Sequence, residues 1–88
     1  MYICFNSAKN ARNVRTRDLS FERARELEFE TALTLIDRRH DYGETRYIAI
    51  GYLDARLHVL CYTRVAGGIR VISFRKANPR EVRRYETQ

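Results

Sequence analysis

Between Leu57 and Tyr85 the chain carries His58, Tyr62, Arg64, Ser73 and Arg75, an imidazole, a phenol, a hydroxyl and two guanidinium groups. RNA cleavage by a neighbouring 2′-hydroxyl needs a base for that hydroxyl, an acid for the departing 5′-oxygen and donors for the charge growing on phosphorus. Arg64 and Arg75 suit the phosphate, because a guanidinium pairs two oxygens at once and stays charged at any working pH. His58 can give or take a proton near neutrality. Tyr62 could stack on a base or donate a proton, and Glu44 is the best carboxylate for a general base. Ser73 can donate to a phosphate oxygen. Lys9 and Lys76 could add cations at the rim, and Arg83, Arg84 and Tyr85 could touch RNA from the end of the chain. Each has a plainer structural reading. Glu44 could simply pair with Arg46, Tyr62 could sit at the edge of the core, and the arginines could be solvated cations at strand ends.

Strand register decides whether these groups converge. Side chains alternate along a strand, and antiparallel partners place opposite residues on one side. A turn at Gly67-Gly68, whether two residues or the four from Val65 to Gly68, keeps Tyr62 on the side of Val71 and Ser73. A loop of odd length would reverse this. With a second turn near Asp54-Ala55, Ile48, Ile50, Val59, Cys61, Ile72 and Phe74 share an apolar face, expected to be core. Tyr47, His58, Leu60, Tyr62, Arg64, Val71, Ser73 and Arg75 share the other, expected to be the working face.

The elements around this meander follow from local signals. Met1 to Phe5 reads as a strand, ended by Asn6-Ser7, either of which can cap a helix. Ala8, Ala11 and Val14 mark the inner side of a short helix to about Arg15, with Lys9, Arg12 and Arg15 outward. Ser20 is a further N-cap, with Phe21, Ala24 and Leu27 as the buried stripe that follows. Thr31 to Asp37 reads as a strand and Arg38 to Thr45 as a connection. Arg46 to Tyr52, Arg56 to Arg64 and Ile69 to Arg75 form the meander. Asn78-Pro79-Arg80-Glu81 opens a last, basic helix through a capping box with proline at its first position. The expected fold is α+β, one domain over residues 1 to 88: a mostly antiparallel sheet of about four strands, N-terminal helices on one face, and a C-terminal helix.

Composition narrows the partners. Seventeen Lys and Arg against eleven Asp and Glu give a net charge of +6 and a pI near 9.8, which favours a polyanion, nucleic acid first and an acidic protein second. Cys4 and Cys61 form neither a disulfide framework nor a CxxC motif, and His40 and His58 stand apart from them, so no metal and no cofactor is expected. No stretch approaches the length of a membrane span, and the start of the chain lacks a basic segment followed by an apolar run. A cytoplasmic protein is the expectation.

Three stretches together resemble the BrnT family of toxins from bacterial type II toxin-antitoxin pairs. They are Phe5-Asn6 with Lys9, Asn13 and Ser20-Phe21-Glu22-Arg23-Ala24; Asp37 to Arg46 leading to Ile50-Gly51; and Tyr62-Thr63-Arg64 with Val71 to Ala77, Arg80-Glu81 and Arg84-Tyr85. The resemblance implies a ribonuclease with a RelE-like fold. It also implies a BrnA-type antitoxin carrying a ribbon-helix-helix part, and repression of operator DNA by the complex. The chain departs from the family at Asn6, where aspartate is usual, and at Arg15-Thr16-Arg17, where Lys-His-Gly is frequent. Tyr62 stands where a histidine is common. Two histidine positions are thus Thr16 and Tyr62. Two other readings stay open: a weakly active or inactive toxin-like subunit that binds the antitoxin and modulates DNA repression, and a non-catalytic RNA-binding module.

Overall fold

The computed structural model describes residues 1 to 88. The chain runs β1 (Tyr2–Phe5), α1 (Ser7–Arg17), two 3₁₀ turns (Phe21–Glu26 and Phe29–Thr31), β2 (Leu33–Ile36), β3 (Tyr47–Leu53), β4 (Arg56–Val65), β5 (Gly68–Lys76) and α2 (Pro79–Glu86). The sheet has five strands, not four, in the order β1-β5-β4-β3-β2. All five stretches read as strands join it, and β1 makes the sheet mixed by pairing parallel to β5 from Tyr2 with Gly68 to Phe5 with Val71. A Cβ on Gly68 would run into the Tyr2 carbonyl, so this close approach requires glycine.

Local chemistry accounts for most boundaries. The Asn6 side chain accepts the Lys9 amide to start α1, and Asp18 ends it in the left-handed region at φ 54°. Phe21, Ala24 and Leu27 are buried as expected, but Phe21 and Ala24 lie on a 3₁₀ turn, whose three residues per turn match that spacing, and Leu27 is its extended C-cap. Asp54 and Ala55, both at positive φ, make the tight turn between β3 and β4. The Asn78 side chain and the Glu81 carboxylate form both halves of the capping box at the start of α2.

α1 docks differently from expectation. Ala8, Ala11 and Val14 face solvent, Val14 with 43% of its surface exposed. The inward side carries asparagines: Asn10 Oδ1 accepts the Phe21 amide at 2.7 Å. Asn13 Nδ2 donates to the Leu19 and Phe74 carbonyls, both at 2.9 Å. Two alanines and a valine offer too little apolar surface to outweigh these bonds.

The largest departure lies in β5. The two-residue turn falls at Ala66-Gly67, one residue before the expected Gly67-Gly68, because Gly68 is taken into β5. The register still runs as expected to Tyr62 opposite Val71, but Cys61 then stands opposite Ser73. Ile72 is the extra residue of a β-bulge, and one extra residue exchanges the faces of everything beyond it. Phe74 therefore turns in with Leu60, Tyr62, Val71 and Ala49, against Ile3, Phe21, Ala24 and Leu27. The face expected to work is the main core. Ser73 and Arg75 turn to the opposite face, where Ile50, Leu57 and Val59 are covered by Val82 and Tyr85 of α2.

Candidate functional site: two basic clefts beside α1

The bulge separates the groups predicted to act together. His58, Tyr62 and Arg64 point to the side of the main core, whereas Ser73 and Arg75 point to the other. Tyr62 is 5% exposed, stacked on Tyr47 at 5.5 Å and edge-on to Phe29 at 6.0 Å. Burial pushes its phenol up from the ordinary value. Arg64 lies over the Tyr47 ring at 4.7 Å and stands six residues along β4 from His58, roughly 20 Å at the rise of a strand.

Glu44 accepts from Arg46 at 3.1 Å and from Arg70 at 2.9 and 2.7 Å. These donors hold its carboxyl below the usual carboxylate range. Arg75 is paired with both oxygens of Glu81. Arg83 and Arg84 are exposed on α2, and Tyr85 packs edge-on to Tyr52 while donating to the Thr31 carbonyl at 3.1 Å. His40 lies edge-on to Tyr42 in the connection after β2.

His58 and Lys76 do come together. They are register partners across β4 and β5, and both line a cleft of about 760 Å³ between the end of α1 and the β3–β4 turn. Arg15, Thr16, Arg17 and Arg56 line it too. Arg15, Arg17, Arg56 and Lys76 form no ion pair, whereas Arg23 at the rim is held by Glu26 and Asp54. Two carboxylates line it as well, Asp54, which is taken up by Arg23, and Asp18, which forms no ion pair, so the cleft presents four unpaired cations and one unpaired carboxylate around one imidazole.

The imidazole is set in one tautomer. Nδ1 lies 2.8 Å from the Arg56 carbonyl oxygen, which can only accept, so Nδ1 carries the proton and Nε2 keeps its lone pair. His58 is 5% exposed, and burial, with the Lys76 and Arg56 charges, pulls its pKa below the ordinary 6.5. At neutral pH it is a neutral proton acceptor.

A second cleft, about 280 Å³, runs between α1 and β5. Lys9, Arg12, Thr16, Arg17, Ser73 and Arg75 line it, and no carboxylate does. Thr16 and Arg17 belong to both clefts, so the two meet at the last turn of α1. Asn13 ties the walls of this second cleft together through the Phe74 carbonyl.

Arg12, Arg15, Arg17, Thr16 and Arg56 were not among the site residues expected from sequence, although Arg12 and Arg15 were placed on the outward side of the helix. The signal available was the density of cations in the last two turns of α1, which a periodicity argument assigns to a solvated side. Arg56 had no local signal, because the turn before it brings it beside His58 only in three dimensions. No group of three or more His, Cys, Asp or Glu side chains is placed to hold a metal ion, and no helix is long and apolar enough to cross a membrane.

A family model described as ribonuclease toxin, BrnT, of type II toxin-antitoxin system, matches residues 5–81. Among solved structures, the chain is similar to the Brucella abortus ribonuclease toxin BrnT, with a TM-score of 0.67 at 22% identity. That alignment covers 89% of this chain and 97% of the other. At this identity the likeness speaks to the fold. No curated protein matches the chain.

Proposed function

The chain belongs to the BrnT family of type II toxin-antitoxin ribonuclease toxins, and we propose that it is an endoribonuclease working without a metal in the cleft around His58. The observation that carries this reading is a buried, neutral imidazole with a free Nε2 in a cleft where four unpaired cations outnumber the one unpaired carboxylate, Asp18. Arg15-Thr16-Arg17, standing where relatives often carry Lys-His-Gly, lines the same cleft. His58 thereby supplies from β4 an imidazole that Thr16 cannot.

The chemistry follows from these groups. His58 Nε2 takes the proton of a ribose 2′-hydroxyl, and that oxygen attacks the adjacent phosphorus. The 5′-oxygen leaves with a proton from a neighbouring donor, Lys76 being the cation paired with His58 in register, and a 2′,3′-cyclic phosphate remains. The arginines bind the negative charge on the phosphorane oxygens. Arg75 meets the strand from the second cleft, away from the reacting phosphate, through the N–H groups that Glu81 leaves free, with Ser73 and Lys9 beside it. Arg64, Tyr62 and Glu44 support the sheet and the β2–β3 connection rather than the chemistry.

In this reading the protein acts in the cytoplasm and is neutralised by a BrnA-type antitoxin with a ribbon-helix-helix part. An acidic segment of that partner covers the basic clefts, and the complex represses its own operator DNA. A partner-binding subunit without turnover is the second reading, favoured by the internal contacts that occupy Glu44, Arg75 and Tyr62.

Folded protein incubated with RNA in the presence of EDTA tests the choice. The expected result is cleavage to fragments ending in cyclic phosphate, with His58→Asn slower by about 10²-fold or more. Intact RNA with folded wild type would remove the ribonuclease reading and leave the partner-binding subunit in the lead.

A further inference from the structure

The cleft between α1 and β5 is not needed to bring a base to a 2′-hydroxyl, yet it has the makings of a binding site. Lys9 and Arg12 are exposed there and form no ion pair, and Ser73 adds a hydroxyl, whereas the Thr16 hydroxyl already donates to the Arg12 carbonyl at 2.8 Å. Its aromatic residues, Phe21 and Phe74, are 2% and 1% exposed, so neither offers a ring face on which a base could stack. The Asn13 amide hydrogens are engaged by two backbone carbonyls. With no exposed ring on which to stack a base, the free donors of Lys9, Arg12, Arg17 and Ser73 suit a phosphate backbone best. Continuity with the His58 cleft through Thr16 and Arg17 gives a strand a path from one to the other around the last turns of α1.

Resting on the ribonuclease reading, we propose that this second cleft tracks the phosphate backbone of single-stranded RNA at nucleotides away from the scissile bond. It makes binding depend on strand length and contributes no sequence preference. Cations along a groove lacking base contacts give sequence-tolerant attachment, whose strength falls steeply with salt. The Asn13 bond to Phe74 is the positioning contact, since it fixes the width between α1 and β5.

Binding of 2′-O-methylated RNA oligonucleotides of graded length, which cannot be cut, tests this independently of catalysis. For wild type, affinity rises with length until both clefts are spanned and is alike for strands of different sequence. Lys9→Ala with Arg12→Ala, both at exposed positions of α1, lowers the magnitude of the log Kd against log salt slope by about 1.4 for long strands. The same pair leaves the shortest strands unaffected. Arg38→Ala with Arg80→Ala, exposed cations outside both clefts, leaves the slope unchanged. A slope equal to wild type in the Lys9 and Arg12 pair, or an equal loss for short and long strands, overturns the proposal. Length-dependent binding without cleavage of ordinary RNA would keep this inference and discard the catalytic reading.

Discussion

The Arg75 guanidinium is bonded to both Glu81 carboxylate oxygens, at 2.8 and 2.9 Å, and one of those oxygens also receives the Asn78 amide at 2.9 Å. One carboxylate thus caps α2 and fastens it to β5. Each partner acts on the other as charge requires: Glu81 raises the Arg75 pKa, and Arg75 holds the Glu81 carboxyl below its usual range. An arginine that sequence pattern points toward a phosphate is therefore also a fastener of the last helix.

These two roles separate by mutation. Arg75→Ala is expected to cost about 1 kcal/mol, as befits a partly exposed pair, and Glu81→Ala, which also loses the bond to the Asn78 amide, about 2 kcal/mol, each kcal/mol lowering Tm by about 4–8 °C. Only Arg75→Ala should also slow RNA cleavage, by about 10-fold for one lost bond to a charged oxygen. Calorimetry together with cleavage rates on the same samples decides. Equal cleavage losses in both variants would make Arg75 purely structural.

His58 sets a pH dependence. Its folded pKa lies below the ordinary 6.5, so in the window just under 6.5 the unfolded chain binds a proton that the folded chain refuses. Stability from this group is complete above 6.5 and is lost as pH falls toward the folded value. Thermal unfolding of wild type from roughly pH 5 to 8 should show that loss. In His58→Gln the same limb should flatten. As the base, His58 also requires cleavage to hold its rate through neutrality and fall on the acid side. A fall on the alkaline side would instead make it the acid.

Tyr62 offers a contrast between chemistry and packing. Tyr62→Phe keeps the stack on Tyr47 and the edge contact with Phe29, and is expected to leave cleavage unchanged. Tyr62→Ala empties a buried ring and should cost about 3 kcal/mol or more. Denaturant titration and cleavage rates of the two variants check this. Lost cleavage in a stable Tyr62→Phe would return the phenol to the chemistry.

Much of the fold is legible in the chain because its signals are local. Asn6 and Asn78 announce helix starts through bonds spanning three residues, Asp54-Ala55 marks its turn, the second turn is legible to within one residue of Gly67-Gly68, and Phe21, Ala24 and Leu27 show their burial by spacing. Family membership was legible too, since it rests on residue types in order along most of the length. The candidate site was only half legible. His58 and Lys76 were identified as residues, but the cleft that unites them with Arg15, Arg17 and Arg56 joins α1 to a turn some 40 positions later in the sequence.

What the tertiary structure alone decided turns on Ile72. No glycine or proline marks the bulge there, and the choice to insert one residue opposite β4 is made by which side chains fill the space beneath the sheet. Phe74 enters that core, and Arg75, which could not be desolvated there without a partner, turns out to meet Glu81. The alternation of residues along β5 was present in the sequence. Which face each residue serves depended on packing against segments distant in the chain, and a single unpaired residue exchanged the two.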